Sequence, residues 1–308
     1  MFMSGRHTGG WICAICGIPE AATPILGVLR SDLEGSGTFS QNLLTKSAAA
    51  VLSFVAVLGA VFLGMGLFSL TIPCWIGTAC SLIIYRMYSG KPLVVRPRFA
   101  HLKDLGGLSV GLWINNAAET AMQRMDKWFV GNTGGAEALG YYNRAFTFAP
   151  VSHLALNSLL ANPSVSALAR HSPGDRRRYL MKTFLITTIG GAATLVFWLL
   201  FADPLVVWIF GQPWAGCVPY FKAMSGLAIC YAVLYVPITL LYALRRYVTT
   251  GLIRLAGVTA LFLFLASSRG RISALEVSYA LQAALLGTGL VMWGAAALAL
   301  RRPGSSSV

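Results

Sequence analysis

Apolar runs recur along the whole chain, each closed by a short polar or glycine-containing stretch, and each is close to the length of about 20 residues that one bilayer crossing needs. Runs 48–66 and 67–85 nearly abut at a glycine turn. Further runs cover 139–160, ending near Pro163, and then 183–201, 220–244, 252–266 and 275–300. The helix beginning at 183 is expected to continue past Pro204 to Phe210, and Pro237 is expected to kink the run that contains it. Run 11–29 is weaker, because Pro19, Glu20 and Pro24 interrupt it. Segment 105–130 has the length of a span but a polar interior. The pattern predicts an all-α fold, a polytopic transmembrane bundle of roughly eight or nine helices, with no soluble domain.

Segment 105–130 is the informative exception. It carries Glu119, Gln123, Arg124, Asp126 and Lys127 in WINNAAETAMQRMDKWFV. One charge at the centre of a bilayer costs roughly 3 kcal/mol on insertion scales. On a helical wheel stepped by about 100° per residue, Asn115, Asp126, Glu119, Gln123, Asn116, Lys127, Thr120 and Arg124 fall within one half of the circle. Ile114, Ala117, Ala118, Ala121, Met122, Met125, Trp128 and Phe129 take the other half. A span with one polar face turns it to a bundle interior or an aqueous cavity. The alternative, a helix lying flat on the membrane, would put the basic loops on either side of it on opposite faces of the bilayer. Gln123 is one turn from Glu119 and one turn from Lys127, so pairing within the helix is possible there. Arg124 and Asp126 face differently and need partners on other helices.

Charge supplies the orientation. Basic loops contain Arg86, Lys91, Arg96, Arg98 and Lys103, then Arg170, Arg176, Arg177, Arg178 and Lys182, then Arg245, Arg246 and Arg254, and finally Arg301 and Arg302. The loops between them are poor, with Lys222 in one and Arg269 and Arg271 in another. The rich loops are expected in the cytoplasm, so segment 105–130 runs outward and the NTGGAEALG loop is external. The 308 residues are 56% hydrophobic and only 11% charged, with a mean hydropathy of +0.67. The formal net charge of +14 therefore reads as positive-inside bias rather than nucleic-acid binding, for which the chain has little soluble surface. Cys13 and Cys16 form a CxxC with no second pair at zinc spacing. Cys74, Cys80, Cys217 and Cys230 sit in apolar runs as small hydrophobes. His153, inside an apolar run, reads as packed rather than catalytic. The start, MFMSGRHTGG, shows no convincing cleavable signal peptide.

The run DKWFVGNTGGAEALGYYNRAF resembles the polysaccharide-export flippases of the multidrug/oligosaccharidyl-lipid/polysaccharide superfamily. Asp126, Gly131, Leu139, Gly140, Tyr142 and Arg144 occupy the positions of that family's pattern, and Arg124 stands where members often carry a basic residue before the Asp. NPSVSALAR, with Pro163 and Arg170, is similar to the family's proline-containing helix exit. FGQPWAGCVPYFKAMS, with Gly211 and Trp214, is similar to its external Gly-x-x-Trp loop, and PILGVLRSDLEGSGTFSQN to a cytoplasmic turn.

The resemblance covers about residues 24–302 and implies a flippase that moves a polyprenyl-diphosphate-linked oligosaccharide from the cytoplasmic to the external leaflet of the bacterial cytoplasmic (inner) membrane. It implies a substrate cavity with Arg124, Lys127, Arg144, Asn116 and Gln123, in which Arg binds diphosphate or acidic sugar bidentately and Lys acts as a point charge. Glu119 and Asp126 would couple a proton or cation, or simply pair with the basic residues. The partners implied are the lipid-linked oligosaccharide, the bilayer, and the pathway's polymerase and export machinery, with no nucleic acid. No bond is made or broken, so no catalytic residue, metal or cofactor is expected. Against the family pattern of twelve or more spans in two pseudo-symmetric six-helix halves, the chain lacks roughly the first three helices. Residues 1–104 then read as a remnant of the N-terminal bundle plus a basic connector, 105–302 as the C-terminal bundle, and 303–308 as a Ser-rich disordered tail. The other readings are a truncated inactive flippase, a membrane glycosyltransferase or polymerase of the same pathway, and a drug/cation antiporter of the same superfamily.

Overall fold

The structure, a computed structural model, describes residues 15–19, 26, 39–89, 100–151, 164–165, 168, 172–268 and 272–301. All regular elements among the described residues are helical. The chain divides into two compact units, Met1–Arg98 and Phe99–Val308.

In the first unit, α1 (Phe39–Phe62) packs against α2 (Ile72–Ser89). The expected glycine turn lies between them, with Gly64 at φ 73° and Gly66 at φ 55°, followed by a short 3-10 turn, Gly66–Thr71. Pro73 stands in the first turn of α2, where a missing N–H costs nothing. Most of the 11–29 run lies outside the described residues, which include only 15–19 and 26 of it, as do Cys13 and residues 90–99 of the basic connector.

The second unit begins with α3 (Ala100–Phe148), 49 residues in two arms broken at Gly135, whose φ of 73° and ψ of −172° only glycine adopts readily. The NTGGAEALG segment, expected as a loop, is helical on both sides of that one residue. Ala136, Glu137, Ala138 and Leu139 are strong helix formers, so a single glycine suffices for the reversal. His153, Pro163 and Arg170 lie outside the described residues. The next helix, α4 (Pro173–Phe210), runs 38 residues through Pro204 as expected. It is started by Ser172, which accepts from the Asp175 backbone N–H at 3.4 Å and donates to Asp175 Oδ2 at 2.6 Å, with Pro173 at the first helical position.

The 220–244 run holds a break that the sequence pattern did not announce, at Ser225–Gly226. A 3-10 turn, Gln212–Cys217, leads into α5 (Val218–Met224), and α6 (Leu227–Ala243) follows at a bend of 42°. Carbonyls freed at the break find side chains instead: Ser225 Oγ donates to the Lys222 carbonyl at 2.6 Å, and Gln282 Nε2 donates to the Ala223 carbonyl at 2.8 Å. Pro237 is accommodated inside α6. Then come α7 (Tyr247–Ser267) and α8 (Ala274–Arg301), whose hydrophobic runs were evident.

Length and composition alone qualify four helical stretches among the described residues as spans, Leu44–Phe62, Gly174–Phe210, Tyr247–Ser267 and Ala274–Arg301, and a fifth if the bent α5–α6 pair is one crossing. The first arm of α3 is long enough but too polar, with Asn115, Asn116 and Glu119 inside its most apolar stretch. The core of the second unit collects Tyr142, Phe221, Met224, Leu227, Leu241 and Met292, all without exposure. The outer surface is apolar as well: Trp208 is 82% exposed, Leu290 66% and Leu263 61%. A surface of that kind suits hydrocarbon rather than water. The molecule is an all-α, multi-pass transmembrane bundle.

Candidate functional site

The first arm of α3 places its polar residues on two different surroundings. Asn115, Ala118, Met122, Asp126 and Val130 form a buried stripe at spacings of three and four. Asn116, Thr120, Gln123 and Arg124 are exposed, and Glu119 and Lys127 are half-buried at the border. The single polar half-circle of the wheel is thus divided: one edge packs into the bundle and the rest remains open.

On the packed edge, Glu119 joins three helices. Arg254 of α7 donates from Nη1 to Glu119 Oε2 at 2.6 Å, with its side chain only 3% exposed. Tyr235 of α6 donates from its hydroxyl to Glu119 Oε1 at 2.6 Å, and Gln123 Nε2 reaches the same oxygen at 3.4 Å. The Arg254 guanidinium also lies 5.1 Å from the centre of the Tyr235 ring, a cation–π contact that adds to the tie. Close approach of α3 and α7 makes this reach possible: a Cβ on Gly111 would stand 2.8 Å from the Val248 backbone nitrogen. Glu119 therefore pairs with Arg254, not with Arg124 or Lys127. Glu119, Met122, Gln123, Phe146, Tyr231 and Tyr235 line a narrow cleft beside the tie.

Asp126 lies fully buried further along the same helix. Its partner comes from the second arm of α3, where Tyr142 donates to Asp126 Oδ2 at 2.7 Å across the Gly135 reversal. The other oxygen, Oδ1, is buried without a hydrogen-bond partner among the described residues, as are Asn115 Oδ1 and Arg254 Nε. Lys127 does not turn to Asp126 but places Nζ 4.1 Å from the centre of the Phe146 ring. Phe146 in turn stacks on Tyr142 at 6.4 Å.

The residues grouped as one cavity therefore separate. Asn116, Gln123 and Arg124 share the exposed face, with Lys127 at its edge. Arg144 stands elsewhere, on the second arm, with its guanidinium over Trp214 at 5.2 Å and Phe210 at 5.9 Å. Glu119 and Asp126 belong to the packed edge. Sequence reasoning missed Arg254 and Tyr235. Arg254 stands inside the apolar run 252–266, and an arginine within a span is itself a signal. It also keeps step with the buried Thr250, Val258, Leu261 and Leu265. Tyr235 gives no such signal in an apolar run rich in tyrosine. Cys217 and Cys230 are buried as expected.

Comparison with known proteins gives two findings. The family described as polysaccharide biosynthesis protein matches residues 10–219. Among solved structures, one described as the outward-facing conformation of a multidrug resistance MATE family transporter of the MOP superfamily is similar with a TM-score of 0.73. That similarity has 13% identity and covers 92% of this chain and 69% of the other. At that identity the likeness is one of fold. No curated protein matches the chain.

Proposed function

The chain belongs to the polysaccharide biosynthesis protein family, and on that premise we propose that it flips a polyprenyl-diphosphate-linked oligosaccharide across the bacterial cytoplasmic membrane. The observation that carries this reading is the open polar face of α3. Asn116, Thr120, Gln123 and Arg124 stay exposed on a helix flanked by apolar spans, with Lys127 at their border. Such residues are costly against hydrocarbon and belong against a hydrated path. A diphosphate and its hydroxyl-rich sugars need such a path to pass a bilayer, and alternating access between helix bundles supplies it to either side in turn. Arg124 and Lys127 neutralise the diphosphate, while Asn116 and Gln123 exchange hydrogen bonds with sugar hydroxyls.

The carboxylates have different parts in this scheme. Glu119 is held by Arg254 and Tyr235 and fixes the helices that carry the path. Asp126, with one buried oxygen unengaged, is the group available to a coupling proton or cation. The protein makes and breaks no bond, and an in vitro sugar-transfer assay without product separates it from the glycosyltransferases and polymerases of the same pathway. The direct test replaces Arg124 and Lys127 together by Ala in the full-length gene and asks it to restore polymer export in a flippase-deficient strain. Export should fall at least about tenfold, as loss of charge-assisted contacts implies. Normal export at normal protein levels would sink the proposal.

A further inference from the structure

Three helix ends converge at one end of the second unit, far along the chain from the polar arm of α3. The first turns of α4, the last turn of α6 and the last turns of α8 pack together on Leu180, Leu240 and Ala296. In the same cluster Phe184 of α4 and Trp293 of α8 bring their ring centres within 5.0 Å, and both rings remain only half-buried. Basic residues crown this convergence from the helices themselves. Arg178 lies one turn from Met181 and Lys182 on α4, and the same exposed face continues through Leu185, Ile186 and Ile189. Arg301 closes the exposed face of α8 one turn beyond Leu298. On both helices, cations cap a strip that faces hydrocarbon.

The charge of this end is not balanced from within. Arg176 is satisfied, donating from Nε to the Leu168 carbonyl at 2.7 Å. Arg177, Arg178, Lys182, Arg245, Arg246 and Arg301 are exposed, and no carboxylate pairs with any of them among the described residues. Asp175, the neighbouring carboxylate, accepts from the Ser172 hydroxyl at 2.6 Å. The dipole of α4 presents its positive end to Arg177 and Arg178 and adds to their repulsion. Toward the other end of α4 a cation is matched, Lys222 meeting Asp203 at 2.6 Å. The turn from α6 to α7 carries a second sign. Arg245 has φ 57°, the only positive φ outside glycine among the described residues. Its N–H donates to the Tyr242 carbonyl at 2.9 Å and that of Arg246 to the Leu241 carbonyl at 2.8 Å, a helix ending that glycine serves best. Arginine there strains the backbone and adds an exposed guanidinium to the group. Positive-inside bias asks only for a number of charges on one side. It requires neither their convergence on a shared apolar wall nor a strained turn to hold one of them.

We propose that the convergence of α4, the α6–α7 turn and α8 is a docking surface for an anionic phospholipid. Arg178, Lys182, Arg245 and Arg301 hold the headgroup phosphate, and the acyl chains lie along the exposed faces of α4 and α8 beside Phe184 and Trp293. Basic pockets between helices at a membrane surface take anionic headgroups in this way, and arginine grips a phosphate through two parallel hydrogen bonds. The partner is fixed by two features together: a cluster of unmatched cations calls for an anion, and the apolar strips directly beneath it call for that anion to carry hydrocarbon. A lipid seated there relieves the repulsion and spans two helices, so it stabilises the folded bundle by mass action. The surface shares no residue with the open face of α3, and the inference does not rest on transport.

The full chain, stripped of lipid in dodecyl maltoside, is titrated with dioleoyl phosphatidylglycerol or with dioleoyl phosphatidylcholine as the neutral arm. Native mass spectrometry counts the lipid retained, and tryptophan fluorescence follows thermal unfolding. Phosphatidylglycerol should be retained and should raise the unfolding midpoint; phosphatidylcholine should do neither. The triple variant Arg178→Gln, Lys182→Gln and Arg301→Gln should weaken retention of phosphatidylglycerol at least about tenfold and lose the shift, while unfolding no earlier than wild type without lipid. Arg245→Gly should drive the two readouts apart. Its midpoint without lipid should rise, because the strain at φ 57° is removed, whereas its retention of phosphatidylglycerol should fall. Equal retention of the two lipids would overturn the proposal, as would retention of phosphatidylglycerol unchanged in the triple variant. Tighter binding of a polyglutamate peptide than of phosphatidylglycerol would overturn it too, since the surface would then fit an acidic protein segment. If the triple variant does not fold, Arg245→Gly decides: unchanged retention at a raised midpoint refutes the site. A negative result leaves the flippase reading standing, because export is tested separately at Arg124 and Lys127.

Discussion

The two edges of one helix treat charge in opposite ways. On the packed edge of α3, Glu119 has both oxygens engaged, by Arg254 and by Tyr235 with Gln123. On the open edge, Arg124 is exposed about 1.4 turns away with no carboxylate partner among the described residues. The residue types are similar and the membrane context is the same. The difference is closure: charges engaged by side chains of other helices hold the bundle together, whereas charges left open are available to something that arrives and leaves. Hydrophobicity alone does not distinguish the two classes.

Breaking the closed edge should have the largest effect. Arg254→Ala leaves Glu119 without its counter-charge. It should cost about 3 kcal/mol in detergent-micelle unfolding, the low end for a broken buried pair because Glu119 keeps 32% of its side chain exposed. A cost no larger than that of an ordinary surface substitution would erase the distinction. Tyr142→Phe should come next, losing about 1–2 kcal/mol in the same assay by removing the hydroxyl's hydrogen bond to buried Asp126. Gly135→Ala places a side chain at φ 73° and should cost about 1 kcal/mol. It should also loosen the Asp126–Tyr142 contact, seen as faster hydrogen exchange in the second arm. The smallest effect on stability belongs to Arg124→Ala, within about 0.5 kcal/mol of wild type. If Arg124→Ala instead destabilises the protein as much as Arg254→Ala does, the open edge is structural after all.

Helices were legible in the sequence because uninterrupted apolar length is a strong signal, and α7 and α8 follow their runs closely; α4 begins earlier than its run, at Pro173, so that Arg176, Arg177, Arg178 and Lys182, expected in a loop, lie in its first turns. Breaks were harder to place. The 42° bend sits at Ser225–Gly226, where the support is a side chain from another helix. No local pattern reports a partner supplied from so far along the chain. The reversal at Gly135 was hidden for the opposite reason, since one residue performs it and leaves no loop composition behind. Of the candidate site, the polar face was legible as a wheel, because periodicity depends only on neighbours. Its division into packed and open edges was not, since that depends on where α6 and α7 lie. Arg254 illustrates the point. Arg245 and Arg246 make it look like one more loop charge, and only its step with Val258, Leu261 and Leu265 marks it as inward-facing.

The hydrogen bond from Gln282 to the Ala223 carbonyl bears on how the protein is made. A helix can satisfy its backbone as it leaves the ribosome, but the broken α5–α6 stretch cannot, because its donor is encoded 59 residues downstream. Until α8 has entered the bilayer and found its place, the Ala223 carbonyl has to be met by water or by the insertion machinery. The last helix synthesised among those described thus completes an earlier one, and a chain halted before residue 282 would carry an unfinished crossing.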